Sequence, residues 1–461
     1  MFCISAKGSP EKTQRLPDER KTRRAPGNIA GLAGVREKEM DKKKVAILGF
    51  GSRGQMFADF IREDGDTELF AIADLSPANR RIAREKYGVP AENCFESAES
   101  FLAREKCADA VFICTQDRDH RSHAVAAMER GYDICLEKPA AANWEDCEEI
   151  YRKQCETDRK VMICHVLRYS HFYTEIKRIL DSGELGKAVC FDQTENVGYW
   201  HDANSYIRGA WRNSQESSPM ILAKCCHDLD IICWVLGKRC ESLTSYGSLY
   251  WFREENAPAG SAKQCVDCAP GSREKCPYDA FKIYEDIYKA YNPVLGNNVL
   301  SRAGGMEEVD AILRSRTSPF GRCVFRCDND VVDHQTVNML LEGGITAHLT
   351  MTAFTKDCHR TLHICCTDGE LRGDMEENTI EVLPFLGENR KIDLKTLYDD
   401  FSVHGGGDKL LYRDFMDYIT KNQPSATRTT LKDSLLSHYM CFLAEKSRLN
   451  GGTPQLVDFQ I

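Results

Sequence analysis

KVAILGFGSRG, residues Lys44 to Gly54, decides how the rest of this 461-residue chain is read. Val45 to Leu48 make a short apolar run of the kind buried inside a parallel sheet. Gly49, Gly51 and Gly54 follow with G-x-G-x-x-G spacing. The first glycine permits a tight turn, the second lets backbone approach a pyrophosphate, and the third lets the next helix pack closely. A helix starting near Ser52 presents free N–H groups and its positive dipole end to phosphates, and Phe50 and Arg53 belong to the same turn. A second apolar run, residues 69–73, ends in Asp74, placed to accept hydrogen bonds from an adenosine ribose. The simpler alternative is a strand–turn–helix without a ligand. The carboxylate at the end of the second run favours a dinucleotide site.

Working outward, the apolar runs 110–114, 133–136 and 161–164 alternate with helical stretches such as 77–87 and 124–130. Strands that are apolar throughout, separated by helices, predict a doubly wound parallel sheet over residues 42–165, an α/β Rossmann arrangement. Ligands of such sheets bind beyond the carboxyl ends of the strands. Asp74, Thr115 and Glu137–Lys138 stand at those ends, with Gln116, His120 and Pro139 beside them.

Past Arg168 the pattern changes to a helix around 172–180 and strands near 189–194, 243–251, 332–342, 345–354, 362–366 and 379–383. Gly343-Gly344 reads as a tight hairpin turn. Residues 166–461 therefore predict an α+β domain on a large, mostly antiparallel sheet. Its final helices, near 409–421 and 430–450, are expected to pack back on the first domain. An irregular insertion spans about 254–320. Residues 1–41, rich in Lys, Arg, Gly and Pro, read as a disordered extension, and Met40 stands just before the first strand as an alternative start.

A formal net charge of −9 gives no basis for nucleic acid or an anionic membrane as partner, and no apolar run is long enough to span a bilayer. The 22 cysteines sit mostly within apolar runs. With no secretory leader in view, they suggest free thiols in a reducing cytoplasm.

Lys138, in LEKPA (136–140), is delivered to the cleft edge with Pro139 stopping the strand. A lysine held there can bridge a substrate hydroxyl and the cofactor, and partial burial suits a lysine to proton transfer. The alternative is a solvated loop lysine. In KCCHDLDIICWVLG (224–237), one helix stripe is apolar, while Lys224, His227 and Asp228 share the opposite side. That side is either a solvated face or an acid/base site.

Glu195, Trp200, His201, Tyr206, Arg208, Trp211 and Arg212 make a polar, aromatic segment suited to a sugar bearing an anionic group, or else a surface loop packed on the domain. Arg168-Tyr169 sits at the domain junction, within reach of either ligand. HGGGD (404–408) reads as a glycine loop with Asp408 capping the next helix. Cys265-x-x-Cys268 with Cys276 offers three ligands of a structural zinc, with Cys226, Cys240, Cys323 or Cys327 as fourth; a general surplus of cysteines is the alternative.

VAILGFGSRG (45–54), CTQDRDHRSHAVAAMERGYDICLEKP (114–139) and CHDLDIICWVLG (226–237) together resemble the Gfo/Idh/MocA oxidoreductases, the group with glucose–fructose oxidoreductase and the inositol dehydrogenases. The resemblance runs from residue 43 to the C-terminus. It implies an NAD(P)-binding Rossmann domain followed by an α/β domain whose large open-faced sheet is a homo-oligomer interface. It also implies that Lys138 and His227 flank the nicotinamide and handle the substrate proton. Many sugar dehydrogenases of the group carry an aspartate four residues before that histidine; here the position is Ala223, with Lys224 adjacent.

The expected activity is NAD(P)-dependent oxidoreduction of a carbohydrate, polyol or glycoside. The rivals are an NAD-dependent glycosidase working by transient oxidation and elimination, and a non-catalytic NAD-binding regulator. Asp74 points to NAD, while Arg80 and Arg81 keep NADP open.

Overall fold

The computed structural model describes residues 42–291, 305–402 and 404–460. The expected disordered extension, residues 1–41, and part of the insertion lie outside the described residues.

The first half alternates strand and helix: β1 (Lys43–Leu48), α1 (Ser52–Glu63), β2 (Thr67–Ala73), α2 (Pro77–Tyr87), β3 (Cys94–Phe95), α3 (Ala98–Leu102), β4 (Ala110–Ile113), α4 (His120–Glu129), β5 (Asp133–Leu136), α5 (Trp144–Thr157) and β6 (Val161–Ile163). The strands form one parallel sheet in the order β3-β2-β1-β4-β5-β6. Alternate residues of β1 enter opposite cores, Ala46 and Leu48 on one face and Val45 and Ile47 on the other. Burial on both faces is why the run is apolar without alternation. Helix α2 shows how local sequence sets the ends: the Ser76 side chain accepts the Asn79 N–H, Pro77 opens the first turn, and Gly88 closes it at φ +72°.

The second half begins with α6 (His171–Ser182), β7 (Ala188–Asn196), α7 (Tyr199–Asp202), a π-helical turn (Ala203–Arg208), α8 (Met220–Leu236) and β8 (Cys240–Ser248). The insertion contributes α9 (Pro270–Lys275), α10 (Ala280–Tyr291) and α11 (Met306–Arg314). Then come β9 (His334–Leu341), β10 (Ile345–Thr352), β11 (His359–Cys366), β12 (Gly369–Asp374), β13 (Thr379–Pro384), β14 (Arg390–Asp393), α12 (Gly407–Lys421), α13 (Leu431–Leu449) and β15 (Gln455–Leu456).

Nine strands form a sheet ordered β14-β13-β12-β11-β7-β10-β9-β8-β15, antiparallel except where β7 meets β10. Gly343 and Gly344, at φ +84° and +81°, make the hairpin between β9 and β10. Helix α8 packs against β7 and β10, and α13 against α8 and β8, on one face of this sheet. Residues facing the other way, such as Thr336, Asn338, Thr346, Thr350 and His363, stay partly exposed. The last two helices also reach the first sheet. Met162 of β6 bridges Thr430, and α12 packs on α1 and on the turn Val166–Tyr169. Among the described residues no helix is long and apolar enough to cross a membrane.

Candidate functional site

At the switch point between β1 and β4 the glycine turn lies against the start of the β4 loop. A Cβ on Gly49, where φ is +86°, would meet Cys114 O at 2.4 Å, and one on Gly54 would meet Gly49 O at 2.2 Å. A Cβ on Gly51 would meet nothing within 4 Å. Two glycines are thus fixed by packing and the third leaves open space facing outward. Among the described residues no side chain caps the N-terminus of α1, which leaves its first N–H groups without partners inside the helix. These features fit a pyrophosphate.

Asp74 lies beside the turn. Its Oδ2 accepts the Phe50 N–H at 2.7 Å and its Oδ1 the Ser76 N–H at 2.7 Å. Both oxygens keep lone pairs for a ribose. Arg80 donates to the Asp74 and Leu75 carbonyls.

Two expected cofactor contacts have other roles. The Phe50 side chain is fully buried against Tyr87, and its N–H is committed to Asp74. Arg53 turns inward, its Nε on Glu137 Oε1 at 2.5 Å and its Nη1 on Asp408 Oδ1 at 2.6 Å. It ties the glycine turn, the end of β5 and α12 together. Asp408 is therefore not the helix cap: Gly406, at φ +79°, holds that place, and Asp408 in the first turn pairs with Arg53 and His404.

Burial works to raise the Asp408 pKa, but Arg53 and His404 outweigh it and hold the group at about 2. A carboxyl depressed from about 3.9 stabilises the fold above that pH and loses the effect as pH falls toward 2. Asp408→Asn should cost about 2–3 kcal/mol at pH 7. Urea unfolding at pH 7, 5, 3 and 2 should show that gap closing below about pH 4; a gap independent of pH contradicts the pairing.

The β4 and β5 ends are linked through His120, whose ring lies 3.2 Å from Thr115 O and 2.7 Å from Pro139 O. Thr115 Oγ1 meets His123 Nδ1 at 3.0 Å, and Gln116 is exposed beside it. Lys138 reaches across to the second half, its Nζ donating to Ala223 O of α8 at 2.7 Å. The loop after it is buttressed from the far end of the chain, where the Ala140 N–H donates to His438 Nε2 at 2.8 Å. His438 Nδ1 faces Ser434 O at 2.8 Å, and burial holds this ring at a pKa of about 3, the neutral state an accepting Nε2 requires.

Helix α8 is buried nearly all round, and its polar side divides in two. Lys224 pairs with Glu195 Oε1 at 3.0 Å. Asp228 takes Gln193 Nε2 at 2.6 Å and Arg360 Nε at 2.8 Å. Arg360 Nη2 also lies 2.6 Å from Glu195 Oε2, as an ion pair off hydrogen-bond alignment. This is a closed network of two cations and two anions. Burial works against every member. Arg360 and Lys224 outweigh it at Glu195, whose pKa falls, whereas burial prevails at Asp228, whose pKa rises.

His227 stands apart from that network, its ring 5.5 Å from His165 and 6.4 Å from His404. Its Nδ1 is buried without a partner among the described residues, and burial, then the charge of Lys138, pushes its pKa well below the usual imidazole value. His201 is lowered in the same way by burial, Lys224 and Lys138. Asp202 is fully buried, with neither carboxyl oxygen hydrogen-bonded among the described residues and its pKa raised by burial and Asp333. Lys138, His227, His201, Lys224 and Glu195 therefore share one electrostatic neighbourhood beyond the sheet edge.

Four residues expected near a ligand hold the fold instead. Arg168 grips buried Asp230 with bonds of 2.7 and 2.6 Å, and the Tyr169 hydroxyl donates to Asp414 at 2.6 Å. Trp211 Nε1 donates to Asp117 at 3.1 Å. Arg208 is fully buried, its Nε and Nη2 on the carbonyls of Arg322 and Tyr278 at 2.7 Å each. Trp200 is partly buried against the core of the insertion. Arg360, which the sequence reading passed over, had a usable signal. It alternates with Leu362, Ile364 and Cys366 on the inward face of β11, and a charge there requires a buried partner.

A cavity of about 660 Å³ lies elsewhere, between the insertion and the ends of β8 and β10, lined by Tyr250, Trp251, Tyr278, Phe325 and Phe354. It includes none of the residues around Lys138. The clustering of perturbed groups, rather than cavity size, places the candidate site at the sheet edge. Cys265, Cys268 and Cys276 converge beside that cavity with Cys323, whereas Cys226 and Cys240 lie in the main core of the second half. All described cysteines are free.

Residues 43–165 match the model of an oxidoreductase family's NAD-binding Rossmann fold, and residues 177–437 match the same family's C-terminal alpha/beta domain. The oxidoreductase YteT of Bacillus subtilis, itself of putative function by name, is 23% identical over 396 residues, 81% of this chain and 88% of its own. Inositol 2-dehydrogenase of Salmonella typhimurium is 25% identical over 208 residues, 44% of this chain and 57% of its own length. Among solved structures, the WlbA dehydrogenase of Bordetella pertussis in complex with NADH and UDP-GlcNAcA superposes with a TM-score of 0.65 at 16% identity, covering 91% of this chain and 99% of that one. The chain belongs to the Gfo/Idh/MocA oxidoreductases, and its first half is that family's NAD-binding Rossmann domain.

Proposed function

We propose that the chain is an NAD-dependent dehydrogenase that oxidises a secondary hydroxyl of a carbohydrate or polyol. The observation that carries this is Lys138, anchored on Ala223 O of α8 one turn before a buried, neutral His227, at the carboxyl edge of an NAD-binding sheet. The open glycine turn and α1 would hold the pyrophosphate, Asp74 a ribose, and Thr115, Gln116, His120 and Glu137–Pro139 the nicotinamide end. NAD, when bound, supplies a hydride acceptor at C4.

Lys138 Nζ, anchored by Ala223 O, is positioned to hold the reacting oxygen, and His227, with Lys138, takes the hydroxyl proton. The C–H electron pair leaves as hydride, the O–H proton goes to the protein, and a carbonyl results. Glu195, Lys224, His201 and Asp202 offer further polar groups for neighbouring hydroxyls. Inositol 2-dehydrogenase acts on a polyol and WlbA holds a nucleotide sugar, which supports this substrate class. The same reading assigns the uncovered face of the nine-stranded sheet to a second copy of the chain.

A screen of polyols, sugars and uronic acids with NAD, following nicotinamide absorbance, tests the reading. NADH formation with at least one member is expected, and none with any would overturn it. His227→Ala should lower kcat at least tenfold, about 1.4 kcal/mol of barrier. Because the folded imidazole titrates well below 6.5, its accepting form persists into acid. The acidic limb of the wild-type pH profile should therefore lie below pH 6.5.

A further inference from the structure

The insertion between β8 and β9, with helices α9, α10 and α11, has a core of its own, built around Phe252, Cys265, Tyr284, Cys323 and Phe325. Within it lies a second cavity of about 10 Å³, room for one ion- or water-sized particle. Cys265, Cys268, Cys276 and Cys323 all line it. They come from three places in the chain. Cys265 and Cys268 flank a single helical turn, Cys276 ends α9, and Cys323 is brought alongside by a bridge between Gln264 and Arg322. The Cys323 N–H donates to Lys263 O at 3.0 Å, which fixes that approach through backbone.

A second observation is the charge of Arg208. It is fully buried, and among the described residues no carboxylate pairs with it; Asp279, which also lines the cavity, is taken by Arg273 at 3.0 Å. Among the described residues its Nη1 has no hydrogen-bond partner, and its Nη2 points at Cys265 Sγ at 3.7 Å. A buried guanidinium without a counter-charge is costly. Thiolates beside it would supply one. A third observation is the Ala262 N–H, which donates to Cys268 Sγ at 3.3 Å, the kind of bond that favours an anionic sulfur.

We propose that Cys265, Cys268, Cys276 and Cys323 form a structural zinc site that staples the insertion, with Arg208 as its buried counter-cation. Four S–Zn bonds form as four thiol protons leave, giving a doubly negative centre that Arg208 partly neutralises. Bond lengths of about 2.3 Å place the sulfurs about 3.8 Å apart. They ring the cavity at wider spacing. Among the described residues, the three potential ligands already within 4.8 Å of one another are His363, Cys365 and Glu370 on the uncovered sheet face. There His363 is committed to Glu370, which also pairs with Arg372. The zinc site also forms a wall of the 660 Å³ cavity, since Cys276 and Tyr278 line both.

Full-length chain, produced with zinc and purified without chelator, should contain about one zinc by elemental analysis. Cobalt substituted for it should give the thiolate-to-metal absorption of tetrahedral sulfur ligation. A Cys268→Ser, Cys323→Ser double variant should lose the metal, and Cys365→Ser should keep it. Where the double variant does not fold, alkylation of the wild-type chain decides: the four cysteines should be protected until a strong chelator is added. Absence of metal, a disulfide between any two of the four, equal alkylation with and without chelator, or loss of zinc in Cys365→Ser would each overturn the proposal.

Discussion

Lys138→Met is expected to lower kcat about a thousandfold while NADH still binds. Methionine preserves the length and apolar stem of the side chain, so the loop packs much as before. What disappears is Nζ, with its 2.7 Å bond to Ala223 O and its reach to the reacting oxygen. The glycine turn, Asp74 and the N-terminus of α1 are untouched, so NADH fluorescence titration should change little. Turnover near the wild-type value would remove Lys138 from the mechanism. A collapse of NADH binding would instead make it a cofactor-holding residue.

The second large effect is on stability. Arg360→Met should lower the unfolding free energy by about 3–5 kcal/mol, the cost of breaking a buried ion pair by deleting one partner. Arg360 serves two buried carboxylates, Asp228 and Glu195; without it Glu195 keeps the Lys224 ion pair, while Asp228 keeps the neutral Gln193 amide. The two acids would then gain protons in the folded state. Their raised pKa values make the variant's deficit grow as pH rises through them, so the gap to wild type should be wider at pH 8 than at pH 5.5. Arg360→Lys should recover part of the loss by restoring the charge without the fork that spans both acids. Chemical denaturation of the three proteins at both pH values checks this, and a loss under about 1 kcal/mol at pH 8 contradicts the network.

Much of the fold could be read from local signals. Pro77–Tyr87 carries its own start and stop, the parallel strands announce themselves by unbroken apolar runs, and Gly343-Gly344 marks its hairpin. The strands passed over are β3 and β15, of two residues each, and β12 and β14, which are short and charged; all gain their place from neighbours already formed. The strand-end positions of Asp74 and Lys138 were legible, because each follows an unbroken apolar run. The site was misread where an arginine or tyrosine had a distant acidic partner. Arg168 finds Asp230, and Tyr169 finds Asp414 across 245 positions. Arg53 finds Asp408 across 355. No local pattern encodes such pairs, so polar residues that serve packing look like binding residues.

His438 fixes the loop that carries Lys138, yet it lies 298 positions beyond Ala140. At ribosomal rates of 5–20 residues per second that separation is roughly 15–60 s of synthesis. During that interval the nucleotide-binding sheet can assemble while the loop after Lys138 still lacks its final support. A nascent or C-terminally clipped chain could thus hold dinucleotide without turning over substrate. In this architecture the last helix completes the support of the loop that follows Lys138.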